Sequence, residues 1–306
     1  MDENYYHDLL IILIQQLISI VGIILNLTVV WVTFKHKNLQ TSYGLLLSIN
    51  CLCDAILESG TFLPTILVIM HTKISITYCS LATSWQSIVA GINSNFNMLF
   101  ISIDRIISLL FPIFYRFVLK KGAVKYVMVL NTLSMTYCII FMIFGFNYAF
   151  ENPDIKVYCN PPEQIGGEIL SLAYNVAIFI TLVTSINYII IGIIIKCIIS
   201  KRRIKLFFYF SGMFCSKFII PLITTEPEMK FFYTRLFAQL ITISGAINAP
   251  VLYFCSSEYR NALNKEFAWI VKFFRKVPSI YPTSSIVTKV QVVTTVYPIQ
   301  NQLQPK

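Results

Sequence analysis

Charged residues are scarce in this sequence. Asp, Glu, Lys and Arg make up 12% of the 306 residues, whereas a soluble domain carries about 25%. Hydrophobic residues make up 56%, and the mean hydropathy is +0.70. This composition excludes an ordinary soluble globular fold and favours a protein of the membrane.

Histidine is also scarce, with only His7, His36 and His71 in the chain. All three fall at predicted helix ends or in loops, on both sides of the membrane, so they cannot form one metal site. No nucleophile with a paired base is recognisable either. We therefore predict no metal site and no enzymatic activity.

Several other features are missing. Internal repeats and a continuous path of interior charges, which transporters and channels use, are absent from the sequence. Lys and Arg do not form a basic stripe with aromatic neighbours, so no nucleic-acid partner is expected. The first residues carry Asp2, Glu3 and Asp8 instead of a basic start. The apolar run after them is too long for a signal-peptide core, so the first helix is expected in the mature protein.

Long apolar runs dominate what is present. They are continuous instead of alternating, which favours helices over barrel strands, and each is long enough to cross a bilayer. We predict an all-α integral membrane protein with a seven-transmembrane helix bundle within residues 1–255. The spans are about 9–34, 43–69, 79–110, 124–146, 169–199, 204–224 and 232–255.

The basic residues orient this bundle. With the N-terminus outside, three loops on the cytoplasmic side carry most of them. These residues are Lys35 and Lys37; Arg116, Lys120, Lys121 and Lys125; and Lys196, Lys201, Arg202, Arg203 and Lys205. The net charge of +10 then reflects topology and attraction to anionic membrane lipid. We expect a plasma-membrane protein with an extracellular N-terminus and a cytoplasmic C-terminus.

Two of the eight cysteines, Cys79 and Cys159, fall on the predicted outer side, where oxidation is permitted. A bridge between them would pin the loop before the fifth span over the mouth of the bundle. Two unrelated free thiols are the alternative.

An acid and a base stand together at the foot of the third span, as Asp104 and Arg105. Pro112 follows seven residues after the arginine and Tyr115 ten residues after it. Charge at the edge of a membrane span is costly and tends to be functional.

Asp54 lies midway along the second span, where it must face the bundle interior or a wet cavity. Asn26, Ser94, Asn95 and Asn248 are predicted to complete a polar cluster around it. The cluster is either a water or cation site or plain interhelical hydrogen bonding, worth on the order of 0.6 kcal/mol per contact.

The seventh span ends with Pro250, which bends a helix by freeing a carbonyl, and Tyr253, expected to point into the bundle. Residues 256–277 alternate apolar and basic side chains, which predicts a short amphipathic helix along the inner leaflet. An ordinary basic juxtamembrane segment is the alternative. Residues 278–306 have no helical period and are expected to be disordered.

Together these residues resemble a rhodopsin-like G-protein-coupled receptor. More narrowly, the chain resembles the nematode serpentine chemoreceptors of the srsx class, over roughly residues 15–265. The stretches that carry this likeness are Ile103-Asp104-Arg105, Leu110-Phe111-Pro112-Ile113-Phe114-Tyr115-Arg116, Tyr158-Cys159-Asn160-Pro161-Pro162 and Ser257-Glu258-Tyr259-Arg260.

The resemblance implies a receptor that binds an extracellular ligand and activates a heterotrimeric G protein. It implies that Asp104 holds Arg105 at rest, and that an outward swing of the sixth helix frees the arginine. It also implies that Asp54 and Ser94 match positions that hold a cation in many relatives. A sodium ion near Asp54 is therefore a hypothesis; no other cofactor is expected.

The chain departs from the family around its sixth span. Only Lys201-Arg202-Arg203 separates the fifth and sixth spans, and Met213 stands where relatives have tryptophan. Relatives have several more turns there. A family member with impaired coupling is therefore the alternative function.

The ligand is expected to be a small odorant or metabolite, with a short peptide as the alternative, because the predicted outer loops are short. Depth alone selects the candidate pocket residues, which are Glu58, Gln86, Asn93, Met213, Lys217 and Gln239.

Overall fold

The computed structural model describes residues 3–115, 117, 122–160, 163, 167–194, 239–240 and 242–268, with only the backbone described for 3–8, 167–168 and 192–194. The chain divides into a compact unit, Met1–Glu266, and a C-terminal unit, Phe267–Lys306. The elements below belong to the first unit.

Most of the described chain is helical, as the apolar runs predict. The α-helices are α1 (Glu3–Lys35), α2 (Ser42–Ser59), α3 (Phe62–Ile69), α4 (Ile76–Ser84), α5 (Gly91–Leu110), α6 (Pro112–Phe114), α7 (Ala123–Glu151), α8 (Gly167–Ile194), α9 (Asn248–Cys255) and α10 (Ser257–Glu266). A 3-10 helix covers Lys37–Leu39, and a π-helical segment, Trp85–Ala90, joins α4 to α5. Strands β1 (Ile74–Ser75) and β2 (Lys156–Val157) form a two-residue antiparallel ribbon.

Within the described residues, four helical stretches are long and apolar enough to cross a membrane: Leu9–Lys35, Ser42–Ile69, Ala123–Glu151 and Ile169–Ile191. They correspond to the first, second, fourth and fifth predicted spans. The third predicted span, 79–110, is covered by α4, the π-helical segment and α5. The sixth, 204–224, and its predicted shortening lie outside the described residues, and the seventh is described in part. The count of seven therefore stays a prediction at this point.

The described bundle places polar side chains inside and apolar side chains outside. Asn26, Asn93 and Asn97 are fully buried, whereas Leu17 and Phe179 are each 65% exposed. In water this arrangement would be unfavourable twice, because it buries polar side chains and exposes apolar ones. Lipid, in contrast, accepts apolar side chains and excludes polar ones. The distribution is that of a protein whose outer surface meets hydrocarbon.

Helix α2 lies between α1 and α5, and α5 also packs against α7 and α8. The start of α2 is fixed by its N-cap, because the Thr41 hydroxyl accepts a hydrogen bond from the Gly44 amide at 3.2 Å. Gly44 is required there, since a Cβ at this position would overlap the carbonyl oxygen of Leu39. This tight entry sets the position of the two residues between the cap and the glycine, Ser42 and Tyr43.

Replacing Gly44 by alanine should therefore destabilise the protein by about 1–3 kcal/mol, because backbone would have to move. Thermal unfolding in detergent is the measurement. Gly91→Ala is the matched control, since its new Cβ would lie 3.5 Å from Leu57 Cδ1, an ordinary contact. Equal melting temperatures for the two variants would contradict the close approach.

The ribbon and a disulfide hold the loop that follows α7, at the end of the bundle away from the start of α2. Residues of β1 pair with β2 as Ile74 with Val157 and Ser75 with Lys156. Cys79 and Cys159 form a disulfide with a Cα–Cα distance of 5.5 Å, closing a sequence separation of 80 residues. The predicted pairing is confirmed, and the alternative of two free thiols is wrong. A native bridge of this kind typically stabilises by 2–5 kcal/mol.

Helix α10 docks against the end of α1. Glu266 accepts from Lys35 Nζ at 2.6 Å and lies 2.9 Å from His36 Nε2, while the Tyr259 and Thr33 hydroxyl oxygens are 2.9 Å apart. Tyr259, Ala262 and Leu263 are its buried residues. The predicted amphipathic segment, 256–277, thus begins as a helix with one buried face. Its placement along a lipid leaflet stays a prediction, and its residues from 269 lie outside the described part.

The docking of α10 should weaken in acid. The hydrogen bond from Lys35 holds the pKa of Glu266 below its usual range, and the bond to His36 acts in the same direction. A depressed carboxyl pKa contributes stability that is present above the unfolded pKa and is lost as the pH falls through the folded pKa. Hydrogen exchange in α10, corrected for intrinsic rates, should rise below the usual glutamate range. Glu266→Gln should remove this dependence, and an unchanged profile in that variant would contradict the role of the carboxylate.

Candidate functional site

Asp104, near the end of α5, is fully buried and bound by two hydroxyls. Ser42 of α2 donates to Oδ1 at 2.9 Å, and Tyr115 donates to Oδ2 at 3.1 Å. The two hydroxyl oxygens lie 2.7 Å apart. The carboxylate is therefore held by α2 and by the segment that follows α5.

A break after α5 brings Tyr115 back to Asp104. The helix ends at Leu110, and Phe111 leaves helical geometry with φ −127° and ψ 62°. Pro112 then opens the one-turn helix α6, where a missing N–H costs nothing and a fixed φ favours the first turn. Burial raises the pKa of Tyr115, with the Ser42 bond acting in the opposite direction. The phenol is thus a neutral donor at physiological pH.

Arg105 was expected to be held by Asp104, and the structure differs. Among the described residues, the ion pairs are those of Lys35 and His36 with Glu266, and Asp104–Arg105 is not one of them. The guanidinium carbon of Arg105 lies 3.3 Å from the centroid of the Tyr43 ring. Such a cation–π contact is worth about 0.5–1 kcal/mol when exposed and about 2 kcal/mol or more when desolvated. The Nε of Arg105 is buried without a hydrogen-bond partner among the described residues.

The polar cluster predicted around Asp54 is present. Ser94 donates to Asp54 Oδ1 at 2.5 Å, Asn248 donates to Oδ2 at 2.6 Å and Asn50 to the same oxygen at 3.0 Å. Asn248 also donates to Asn26 Oδ1 at 2.9 Å. One buried carboxylate therefore links α1, α2, α5 and α9.

Asn95, predicted in the same cluster, lies elsewhere. It lines a crevice between α5, α7 and α8, together with Tyr137 and Ala173. Its neighbour Ser94 reaches Asp54 because successive residues on a helix point about 100° apart. Ser94 therefore contacts α2, whereas Asn95 lies at the interface with α7 and α8.

The donor set around Asp54 fits a hard monovalent cation in its chemistry, since carboxylate, hydroxyl and amide oxygens are the ligands that such ions prefer. Both Asp54 oxygens accept hydrogen bonds in this structure. A sodium ion and these bonds would thus compete for the same lone pairs. The ion stays a hypothesis.

Glu58, one turn along α2 from Asp54, joins the interhelical core. It is 3% exposed and lies 3.4 Å from Asn26 Nδ2. Two glycines make room for its carboxylate. A Cβ on Gly22 of α1 would overlap both carboxylate oxygens, and one on Gly245 would lie 2.7 Å from Oε1.

Gly22→Ala should therefore destabilise the bundle, because the three atoms nearest to the new Cβ belong to the buried Glu58 carboxylate. In a Glu58→Ala background the same change should cost much less. A double-mutant cycle of melting temperatures in detergent measures this coupling. Additive effects of the two changes would contradict the close contact between Gly22 and the Glu58 carboxylate.

The candidate ligand residues in the described part of the chain each contact a different partner. Asn93 is fully buried, donating to Cys53 Sγ at 3.2 Å and accepting from Ser134 Oγ at 2.5 Å. Gln86 donates to Ser59 Oγ at 3.3 Å, and Gln239 donates to the Ile11 carbonyl at 2.9 Å. Met213 and Lys217 lie outside the described residues. A ligand role for any of the six stays a prediction.

The seventh span differs from expectation at Tyr253. Its hydroxyl donates to Asn264 of α10 at 3.1 Å, so the ring faces the following helix instead of the bundle interior. The cause is the turn at Ser256, which folds α10 back beside it. Pro250 is the third residue of α9, and its side chain is exposed. Residue 247, just before α9, interrupts the helix.

Sequence reasoning missed Ser42, Tyr43 and the glycines at 22 and 245 as parts of this site. A signal for the first two was available, because a capped helix start lies on the same side of the predicted membrane as Arg105. The glycines carried no such signal. Their role depends on which neighbouring side chain they face, and one sequence does not state that.

The fold and this site define a multi-pass helical membrane protein with a buried polar interior and an acid–arginine couple at one end. The family model for the serpentine type 7TM GPCR chemoreceptor Srsx matches residues 19–267. The chain belongs to this family of seven-transmembrane chemoreceptors, which confirms the likeness noted from the sequence. A search of curated proteins found no match.

Proposed function

We propose that this receptor binds an extracellular small molecule and activates a heterotrimeric G protein through Asp104 and Arg105. Family membership supports a chemosensory role. The observation that carries the proposal is the arrangement of this couple, in which α2 and Tyr115 bind the buried acid and the arginine lies on an aromatic ring.

In the proposed orientation, the receptor lies in the plasma membrane and its Arg105 end faces the cytoplasm. Lys35 ends α1 beside α10, Lys37 follows it, and Lys125 lies in the first turn of α7. Basic residues favour the cytoplasmic side. The disulfide-bridged end is then extracellular, where Cys79 and Cys159 stay oxidised.

The proposed mechanism is a shift between two states of the Arg105 end. A ligand changes such an equilibrium only by its differential affinity for the two states. The polar cluster around Asp54 joins four helices and so transmits a change of packing between the two ends. In the active state Arg105 leaves its resting contact and meets the G protein.

The ligand is proposed to be a small odorant or metabolite bound near the disulfide-bridged end. Gln86 lies in the π-helical segment of the third span, and π-helical turns occur frequently at functional sites. It is therefore the first candidate among the described residues. Glu58 and Asn93 are weaker candidates, because interhelical contacts occupy them. A short peptide is the alternative ligand.

A receptor with impaired coupling is the second candidate function. The observation that favours it is the three-residue separation, Lys201-Arg202-Arg203, between the fifth and sixth predicted spans. Sequencing full-length transcripts across residues 196–215 separates a genuine short loop from a missing exon.

The proposal is tested in cells that express the receptor with a panel of Gα subunits and are exposed to pools of small molecules. Wild-type receptor should activate at least one Gα subunit. Arg105→Gln should reduce that response at least tenfold at equal surface expression, because the guanidinium is the proposed contact. Lys37→Gln, at the same end, is the matched control and should respond as wild type. A well-trafficked receptor that activates no Gα subunit, with Asp104→Ala equally silent, would contradict the proposal.

A further inference from the structure

We propose that Tyr43, and not Asp104, holds Arg105 in the resting receptor, so that loss of the Tyr43 ring contact is what makes the arginine available. This rests on the proposed function, because it concerns the same arginine. It assigns a positioning role to a residue of α2.

The geometry of the contact is direct. The guanidinium carbon lies 3.3 Å from the ring centroid, within the range where the ring quadrupole attracts a cation. Tyr43 is only 9% exposed, so water competes little for its ring. The Nε of Arg105 is buried without a hydrogen-bond partner in the described part, and the Tyr43 ring is in direct contact with the guanidinium.

Asp104 is engaged mainly by other partners. Its two oxygens accept from Ser42 and Tyr115, and Arg105 attracts the carboxylate electrostatically without forming an ion pair among the described residues. Adjacent residues on a helix do not face each other, so the two side chains leave α5 in different directions. Two adjacent residues of α2 meet them separately, with Ser42 bound to Asp104 and Tyr43 stacked on Arg105.

This arrangement suits release. A buried Nε without a hydrogen-bond partner is costly, whereas a hydrogen bond from that donor to a charged or carbonyl oxygen is favourable. A partner segment that presents such oxygens therefore binds Arg105 better than the ring does. The ring holds the arginine in place without satisfying it.

The contact is tested first in the purified receptor, without any G protein. Receptor in lipid nanodiscs, labelled with 13C and 15N arginine, should show an upfield-shifted Arg105 side-chain resonance caused by the ring current of Tyr43. Arg105→Lys identifies the signal by its loss. Tyr43→Leu should return the resonance to its ordinary position, and Tyr43→Phe should preserve the shift. A resonance that Tyr43→Leu leaves in place would overturn the proposal.

The gating role is tested by basal activation of the Gα panel. A cation–π contact corresponds to roughly a 2- to 30-fold change in an equilibrium, so Tyr43→Leu should raise ligand-independent activation by a factor in this range. Tyr43→Phe should behave as wild type. Asp104→Asn should raise activation less than Tyr43→Leu. A larger effect of Asp104→Asn would overturn the assignment.

An isosteric pair keeps the test valid if Tyr43→Leu fails to fold. Tyr43→Phe and Tyr43→pentafluorophenylalanine have nearly the same shape, but the fluorinated ring repels a cation. Only the fluorinated variant should lose the arginine shift and raise basal activation, and equal behaviour of the two would overturn the proposal.

An intact shift with no activation in any variant would instead overturn the proposed coupling, and the gating role with it. A missing shift with signalling that depends on Arg105 would overturn the role of Tyr43 alone.

Discussion

Polar groups buried in an apolar bundle need partners on neighbouring helices, and within the described residues α2 supplies many of them. Along one helix, Ser42 binds Asp104, Tyr43 stacks on Arg105, and Asp54 binds Ser94 and Asn248. In hydrocarbon such groups have no water to turn to, so each contact fixes the position of a helix. The packing of α2 between α1 and α5 therefore determines the geometry of the whole described bundle.

The two ends of this bundle are held by different physical means. At one end a covalent bridge and a two-residue ribbon fix the loop after α7. At the other, hydroxyl bonds, an aromatic stack and the Glu266 carboxylate hold α5, α6 and α10. Covalent bonds resist change, whereas polar contacts exchange for others at little net cost. This asymmetry suits a protein that binds at a fixed end and changes at the other.

The direct contacts of Asp104 and Arg105 differ from those expected from their adjacent positions in the sequence. Adjacent residues were expected to pair with each other, and in the structure each takes a partner on α2. Ser42 and Tyr115 bind the carboxylate directly, whereas Arg105 acts on it without an ion pair among the described residues. The aromatic ring beside Arg105 then becomes its nearest support. A charge pair in a sequence thus identifies a site without stating which contacts operate there.

Composition and spacing determined the class of this protein. Long apolar runs require helices in lipid, Asp54 and its polar partners had to face inward, and two cysteines on one predicted side of the membrane were placed to pair. These features follow from solvation, which each residue carries with it wherever the chain folds. The tertiary structure alone decided that Glu58 fits between Gly22 and Gly245, that Tyr253 faces α10 and that Tyr43 holds Arg105. Such contacts depend on helix rotation and on the approach of residues far apart in the chain, which the order of residues along one helix does not specify.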